Sequence, residues 1–227
     1  MLSPRSAEIT TGVLFIVATL FGALSLVFSG SLTSAEYLVE VSQSSTQVAL
    51  GTSVVVIMAV AILAIPVVLF PILKPFGEIA SIAYIVLRSV EGVAYVLLIV
   101  GRLMMLSLSE AFVVADASAE ANFELLGGLL RDLETQIGTV VSIFFGLGAL
   151  VFYRLLWTSS LLPRWLSGWG FVGAILTGIA ATLGLFGFLS GNSVLFAVLW
   201  IPIFLNELVL AGWLIVKGFR RIEHIEA

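Results

Sequence analysis

From Trp165 to Asn206 the chain runs 42 residues without a single Asp, Glu, Lys or Arg. An α-helix rises about 1.5 Å per residue and bilayer hydrocarbon is about 30 Å thick, so roughly 20 apolar residues make one crossing. The run is too long for one such helix, and Ser190-Gly191-Asn192-Ser193 supplies a turn inside it, so it reads as two. The composition agrees with a bilayer protein: 60% of residues are hydrophobic and 11% charged, where charged residues make up about a quarter of a soluble domain. The glycines and prolines show no period, which excludes collagen, and the aliphatic excess excludes disorder.

Applied to the whole chain, the same criterion predicts six transmembrane helices, at about 9–29, 47–73, 78–108, 134–157, 164–189 and 193–219. No polar interval exceeds about 30 residues, short of the 50 or so that a separate soluble domain needs. The expected fold class is therefore all-α: a polytopic membrane protein with one transmembrane domain over 1–227. The first span reads as a retained helix, because its apolar core outruns the about 7–15 residues of a signal peptide and Glu8 sits in the would-be basic leader.

An N-terminus on the inside places Arg5, Lys74, Arg154, Arg164, Lys217, Arg220 and Arg221 in cytoplasmic segments and only Arg131 outside. That asymmetry predicts a multi-pass protein of the cell membrane with both termini cytoplasmic. Trp157, Trp165, Trp169 and Trp213 sit near the same interface, where amphipathic rings settle at the headgroups. Ser160 offers an N-cap oxygen, and Pro163 an early helical position, for the start of the fifth helix. On the external side, Phe123, Leu126, Leu130, Leu133 and Ile137 recur at spacings of three and four. They predict an amphipathic helix over about 118–133 that lies on, or caps, the outer surface, with Gly127-Gly128 as a bend where it meets the fourth span.

The chain has no Cys and one His, His224, which removes disulfides, thiolate chemistry, iron–sulfur clusters and bis-histidine haem. No metal-ligand spacing is present, and no cofactor or metal is expected. A net charge of −4 without a basic cluster argues against nucleic acid. Gly168-Trp-Gly170-Phe-Val-Gly173 matches a dinucleotide-binding pattern, but it lies inside an apolar helix without the strand that pattern requires, so it reads as a small-residue packing face. Ala18/Gly22, Ala174/Gly178, Ala180/Gly184 and Gly187/Gly191 repeat the four-residue spacing of such faces.

The informative residues are charges inside spans. Arg88, Glu91 and Arg102 fall in the third, and Glu207, beside Asn206, in the sixth. A charge at the bilayer centre costs about 2.5–3.5 kcal/mol on insertion scales, so each needs a partner. Arg88 lies ten positions after Glu78 and Glu207 ten before Lys217, which puts the two at one depth on their respective helices. Glu91 is three positions from Arg88 and shares its face. Arg88, Glu91, Asn206 and Glu207 thus form a candidate buried polar cluster, structural or ligand- or ion-binding, with Tyr84 and Tyr95 as candidate lining of the same space. Arg102 reads as snorkelling to the outer headgroups, with Glu110 or Glu134 as alternative partners.

Several ordered segments resemble one family. They are Leu69-Phe70-Pro71-Ile72-Leu73-Lys74, Arg88-Ser-Val-Glu91, Phe145-Gly-Leu-Gly-Ala-Leu150 through Tyr153, Pro163-Arg164-Trp165-Leu166-Ser167 with Trp169-Gly170, and Asn206-Glu207-Leu-Val-Leu210 with Trp213-Leu-Ile-Val-Lys217-Gly218-Phe219. In their order and spacing the chain resembles, over nearly its whole length, the prokaryotic integral membrane proteins of domain of unknown function family 4386. The position of Asn206 is often Gln there, another amide. The resemblance implies six membrane helices in a bacterial or archaeal cell membrane, and it implies no substrate.

Three functions are compatible with these residues. The favoured one is a non-catalytic membrane module that binds a lipid, an apolar small molecule or a partner membrane protein, with oligomerisation left open. The alternative is a small-molecule or proton/ion carrier with a midplane site at Arg88, Glu91 and Glu207, in which two sets of three spans form an inverted repeat and Pro66 and Pro202 interrupt helices. A membrane enzyme is disfavoured, because Glu91 with Glu207 is the one conceivable acid–base pair.

Overall fold

The computed structural model describes residues 3–191 and 193–220; Asn192 of the predicted turn, Arg221 and His224 lie outside the described residues. Six helices carry the apolar runs: α1 (Pro4–Val27), α4 (Ser45–Leu73), α5 (Glu78–Phe112), α6 (Glu120–Ser159), α7 (Arg164–Leu185) and α8 (Val194–Val216). Two short helices, α2 (Gly30–Thr33) and α3 (Tyr37–Gln43), lie between the first two of them. The chain is a polytopic all-α membrane protein. Caps set two of the starts, since the Ser3 and Ser193 hydroxyls each accept a backbone N–H, from Ser6 and Phe196 respectively, at 3.2 Å.

Each membrane helix packs on its neighbours in the chain, and α8 returns to α1, so the six close into a ring. Aromatic rings fill its middle. Phe152 of α6 stacks on Phe15 of α1 at 5.9 Å and on Tyr84 of α5 at 4.9 Å, so helices that do not adjoin in the ring meet across its centre. Phe145 of α6 stacks on Trp200 of α8 at 5.0 Å. Close approach depends on glycine. A Cβ at Gly170 of α7 would overlap the Tyr153 ring, and one at Gly173 would come within 3.0 Å of the backbone of Ile203 on α8. The run from Gly168 to Gly173 is thus a packing face between α7 and its two neighbours. The α1–α8 seam is clasped by Arg5, which donates to the Leu214 carbonyl at 3.0 Å, and by Glu8, which accepts from the Phe219 N–H at 3.1 Å.

Three local expectations change. The amphipathic stretch at about 118–133 is the first third of α6 and is continuous with the fourth span, the helix running unbroken through Gly127-Gly128. Gly127 is instead the point where the Tyr37 ring meets α6, and its missing Cβ makes the space. The α5 and α6 helices, at 35 and 40 residues, are about 52 and 60 Å long, well beyond the hydrocarbon thickness. Their overhang packs with α2 and α3 around Leu32, Tyr37, Leu38, Val41, Val48 and Met105, so Phe123 and Leu130 of the amphipathic face are covered by protein while Leu126 and Leu133 stay exposed. Second, Ser160 does not cap α7. It closes α6 in the left-handed region at φ 54°, after which Leu161 and Leu162 turn into the core and Pro163 precedes α7. Third, Pro66 and Pro202 lie inside helices that continue past them.

Candidate functional site

The α5 helix presents Arg88 and Glu91 on one face, three residues apart, and both point into the ring. Arg88 Nη1 donates to Glu91 Oε2 at 2.7 Å, the geometry of a charge-assisted hydrogen bond. Its Nη2 faces Glu207 Oε1 of α8 at 3.8 Å, within ion-pair range and too long for a hydrogen bond. The guanidinium also lies over two rings, Phe145 at 5.1 Å and Tyr84 at 5.8 Å. Gly148 of α6 borders its aliphatic stem, where a Cβ would stand 3.7 Å from Cδ. Arg88 and Glu91 are 3% and 1% exposed and the Glu207 side chain 12%, so two carboxylates share one guanidinium away from water.

Glu207 has a second partner that the residue pattern did not single out: Thr19 of α1 donates its hydroxyl to Oε2 at 3.0 Å. Thr11, Phe15 and Thr19 are all buried and recur every fourth residue, a polar-edged stripe along an apolar helix that would have pointed to α1. Asn206, fully buried, turns away from the carboxylates and donates Nδ2 to the Leu166 carbonyl of α7 at 3.0 Å. It links α8 to α7 and, among the described residues, makes no hydrogen bond to the charges. Tyr84 lies at the cluster, while Tyr95 is half-buried and packs with Val55, Met58 and Ile62 of α4.

Five buried polar atoms in this region make no hydrogen bond among the described residues: Arg88 Nε, the Tyr84 and Tyr153 hydroxyls, Asn206 Oδ1 and Thr11 Oγ1. Buried polar groups are almost always satisfied, so these atoms stand out against the packed aromatics around them. A second ionic layer lies three to four turns further along α5. There Arg102 donates to Glu134 Oε1 of α6 through Nη2 at 2.6 Å and through Nε at 3.0 Å, and to Ser29 Oγ at 3.1 Å. Arg102 is 6% exposed, which corrects the snorkelling expectation: the overhang of α6 covers it.

Two grooves stand on the outer surface of the ring, away from both layers. One of about 380 Å³ lies between α6 and α7 at Leu150, Ile175, Gly178, Ile179, Thr182 and Leu183. The other, about 300 Å³, runs along α5 at Ile85, Val86, Ser89, Val90 and Val93. Among the described residues no group of three or more His, Cys, Asp or Glu stands together as a metal site.

No curated protein and no solved structure matches the chain. Its kinship is read at the level of family. The family model described as Domain of unknown function (DUF4386) matches residues 10–218, from the first turns of α1 to the end of the α1–α8 clasp, and the chain belongs to that family.

Proposed function

We propose that this protein is a non-catalytic module of the cell membrane, with both termini cytoplasmic, that holds a lipid acyl chain or a similar apolar group on its outer surface. The observation behind this reading is where space and packing fall. The centre of the ring is occupied by stacked aromatics and an ion pair with short contacts, whereas the 380 Å³ groove between α6 and α7 opens outward and is lined almost wholly by aliphatic side chains. Gly178 keeps the groove open, since a Cβ there would meet nothing within 4 Å and point into free space. An inverted-repeat carrier of the type considered from the sequence relies on interrupted helices at its site, and α4 and α8 run on through their prolines.

The test is retention of lipid. The purified protein, taken through extensive detergent washing, should keep a bound lipid visible by native mass spectrometry. Gly178→Leu, which fills the groove, should release it without lowering the melting temperature. A wild-type protein that retains no lipid would sink the proposal and leave a partner membrane protein as the occupant to seek. The orientation rests on Arg5, Lys74, Arg154, Arg164, Lys217 and Arg220 standing at one end of the ring, opposite Glu36, Glu40, Glu110, Asp116, Glu120 and Glu124.

A further inference from the structure

The ion pair at the centre of the ring is unbalanced. One guanidinium faces two carboxylates, and the two are held differently. Glu91 takes a 2.7 Å hydrogen bond from Arg88 and is 1% exposed. Glu207 stands 3.8 Å from Nη2, too far to share a proton with it, and its one hydrogen bond comes from the neutral hydroxyl of Thr19. A second carboxylate beside an already neutralised pair is unfavourable as an anion in a low-dielectric interior, and gaining a proton removes that cost. We propose that Glu207 is a proton-binding site, loaded from the end of the ring where α1 begins and α8 finishes. This goes beyond the module reading, which needs no titrating group.

The route is marked by two buried hydroxyls, of Thr11 and Tyr153, that have no hydrogen-bond partner among the described residues. Thr11 lies two turns from Thr19 along α1, and Tyr153 five residues beyond Gly148 along α6, each displaced from the Arg88 level toward that end. Both stand on helices that touch the cluster elsewhere, α1 through Thr19 at Glu207 and α6 through Phe145 under Arg88. Hydroxyls that can both donate and accept are suited to relay a proton. A hydronium ion at the surface gives up its proton, leaving water; the proton ends on Glu207 Oε1, and the buried charge of the cluster goes from minus one to zero.

The polar groups around Glu207 come from α5, α6 and α1. The α5 helix offers Arg88, Glu91, Tyr84 and Tyr95, and α6 offers Tyr153; α1 offers the two threonines. The α4 helix contains no ionisable residue, and α7 reaches the region through the Leu166 carbonyl held by Asn206.

Infrared spectroscopy of the protein in lipid nanodiscs reads the proton directly. The wild type should show a carboxylic-acid carbonyl band that titrates away as pH rises, and Glu207→Gln should abolish it. Removing Glu207 also frees Arg88 for Glu91 alone, so the assignment needs Thr19→Val, which keeps the side-chain shape and deletes the hydrogen bond to Glu207. That variant should shift both the band and its titration midpoint. Tyr153→Phe should slow deuterium exchange into the band. Absence of a titrating band in the wild type would overturn the site even if Glu207→Gln fails to fold; a band untouched by Thr19→Val would place the proton on Glu91 instead; exchange unchanged by Tyr153→Phe and by Thr11→Val would overturn the route.

Discussion

Arg88 is the residue on which the interior depends, because α6 and α8 both meet its guanidinium and, among the described residues, no second cation pairs with Glu91 or Glu207. Removing one partner of a buried pair typically destabilises by about 3–5 kcal/mol, since the remaining charge loses its counterpart in a medium that solvates it poorly. Arg88→Ala should therefore lower the unfolding free energy in detergent by about 3 kcal/mol or more. The distances say which second change helps. Glu91, at 2.7 Å, is the anion stranded by the loss. Arg88→Ala with Glu91→Gln should regain more stability than Arg88→Ala with Glu207→Gln, and Glu207→Gln alone should cost little. Denaturant titration of these four variants and of Glu91→Gln alone closes both double-mutant cycles, and strict additivity in both pairs would refute the coupling. The cluster was partly legible from counting residues to the helix ends, which set Arg88 and Glu207 at one depth. Thr19 was legible only as one member of the Thr11-Phe15-Thr19 stripe, since a threonine in an apolar helix usually satisfies itself on its own backbone and does not name a distant carboxylate as its partner.

At the scale of helices, the glycines divide into those that make a contact and those that do not, and a single methyl group separates them. At Gly127 a Cβ would strike the Tyr37 ring, whereas at Gly128, one residue on, it meets nothing within 4 Å. Gly127→Ala should loosen the overhang, while Gly128→Ala should stabilise α6 by up to about 0.5–1 kcal/mol through helix propensity alone. Hydrogen exchange of the amides in α3 and the first turns of α6 reads the difference locally, and equal protection in the two variants would refute the contact. Gly218 is a second such case for another reason. Its φ is 72° and a Cβ would press on the Glu8 carboxylate, so Gly218→Ala should cost about 1–2 kcal/mol and open the α1–α8 clasp, seen as a lower melting temperature. These contacts also show why hydropathy finds spans better than it finds joins. The fourth span and the amphipathic stretch differ in composition, so a pattern reader divides them, yet nothing in the backbone stops a helix there. What turned Gly127 from a bend into a packing site is Tyr37, 90 residues earlier in sequence, whose hydroxyl reaches the Glu124 carbonyl at 3.2 Å.

For the whole molecule, order around the ring follows order along the chain, and this is why span counting from the sequence went so far. Short connections make neighbours of consecutive helices, and the ring is shut by a long-range contact of α8 on α1, carried by Gly12 against Ala211 and by the Arg5 and Glu8 clasp. Which end faces the cytoplasm is a separate matter, decided by charge rather than packing. Cations crowd the end with Pro4, Lys74 and Lys217, and the anions of the α2, α3 and α6 overhang crowd the other, so insertion should retain the basic end inside. The absence of native cysteine makes the check clean. Ser3 and Ala117 are exposed at opposite ends, and Ser3→Cys and Ala117→Cys give one thiol each. A membrane-impermeant maleimide added to intact cells should label Ala117→Cys at once and Ser3→Cys only after lysis. The reverse pattern would invert the molecule in the membrane, and with it the side from which Glu207 takes its proton; labelling of both in intact cells would show that the chain inserts in two orientations and that the charge difference between its ends is too small to choose.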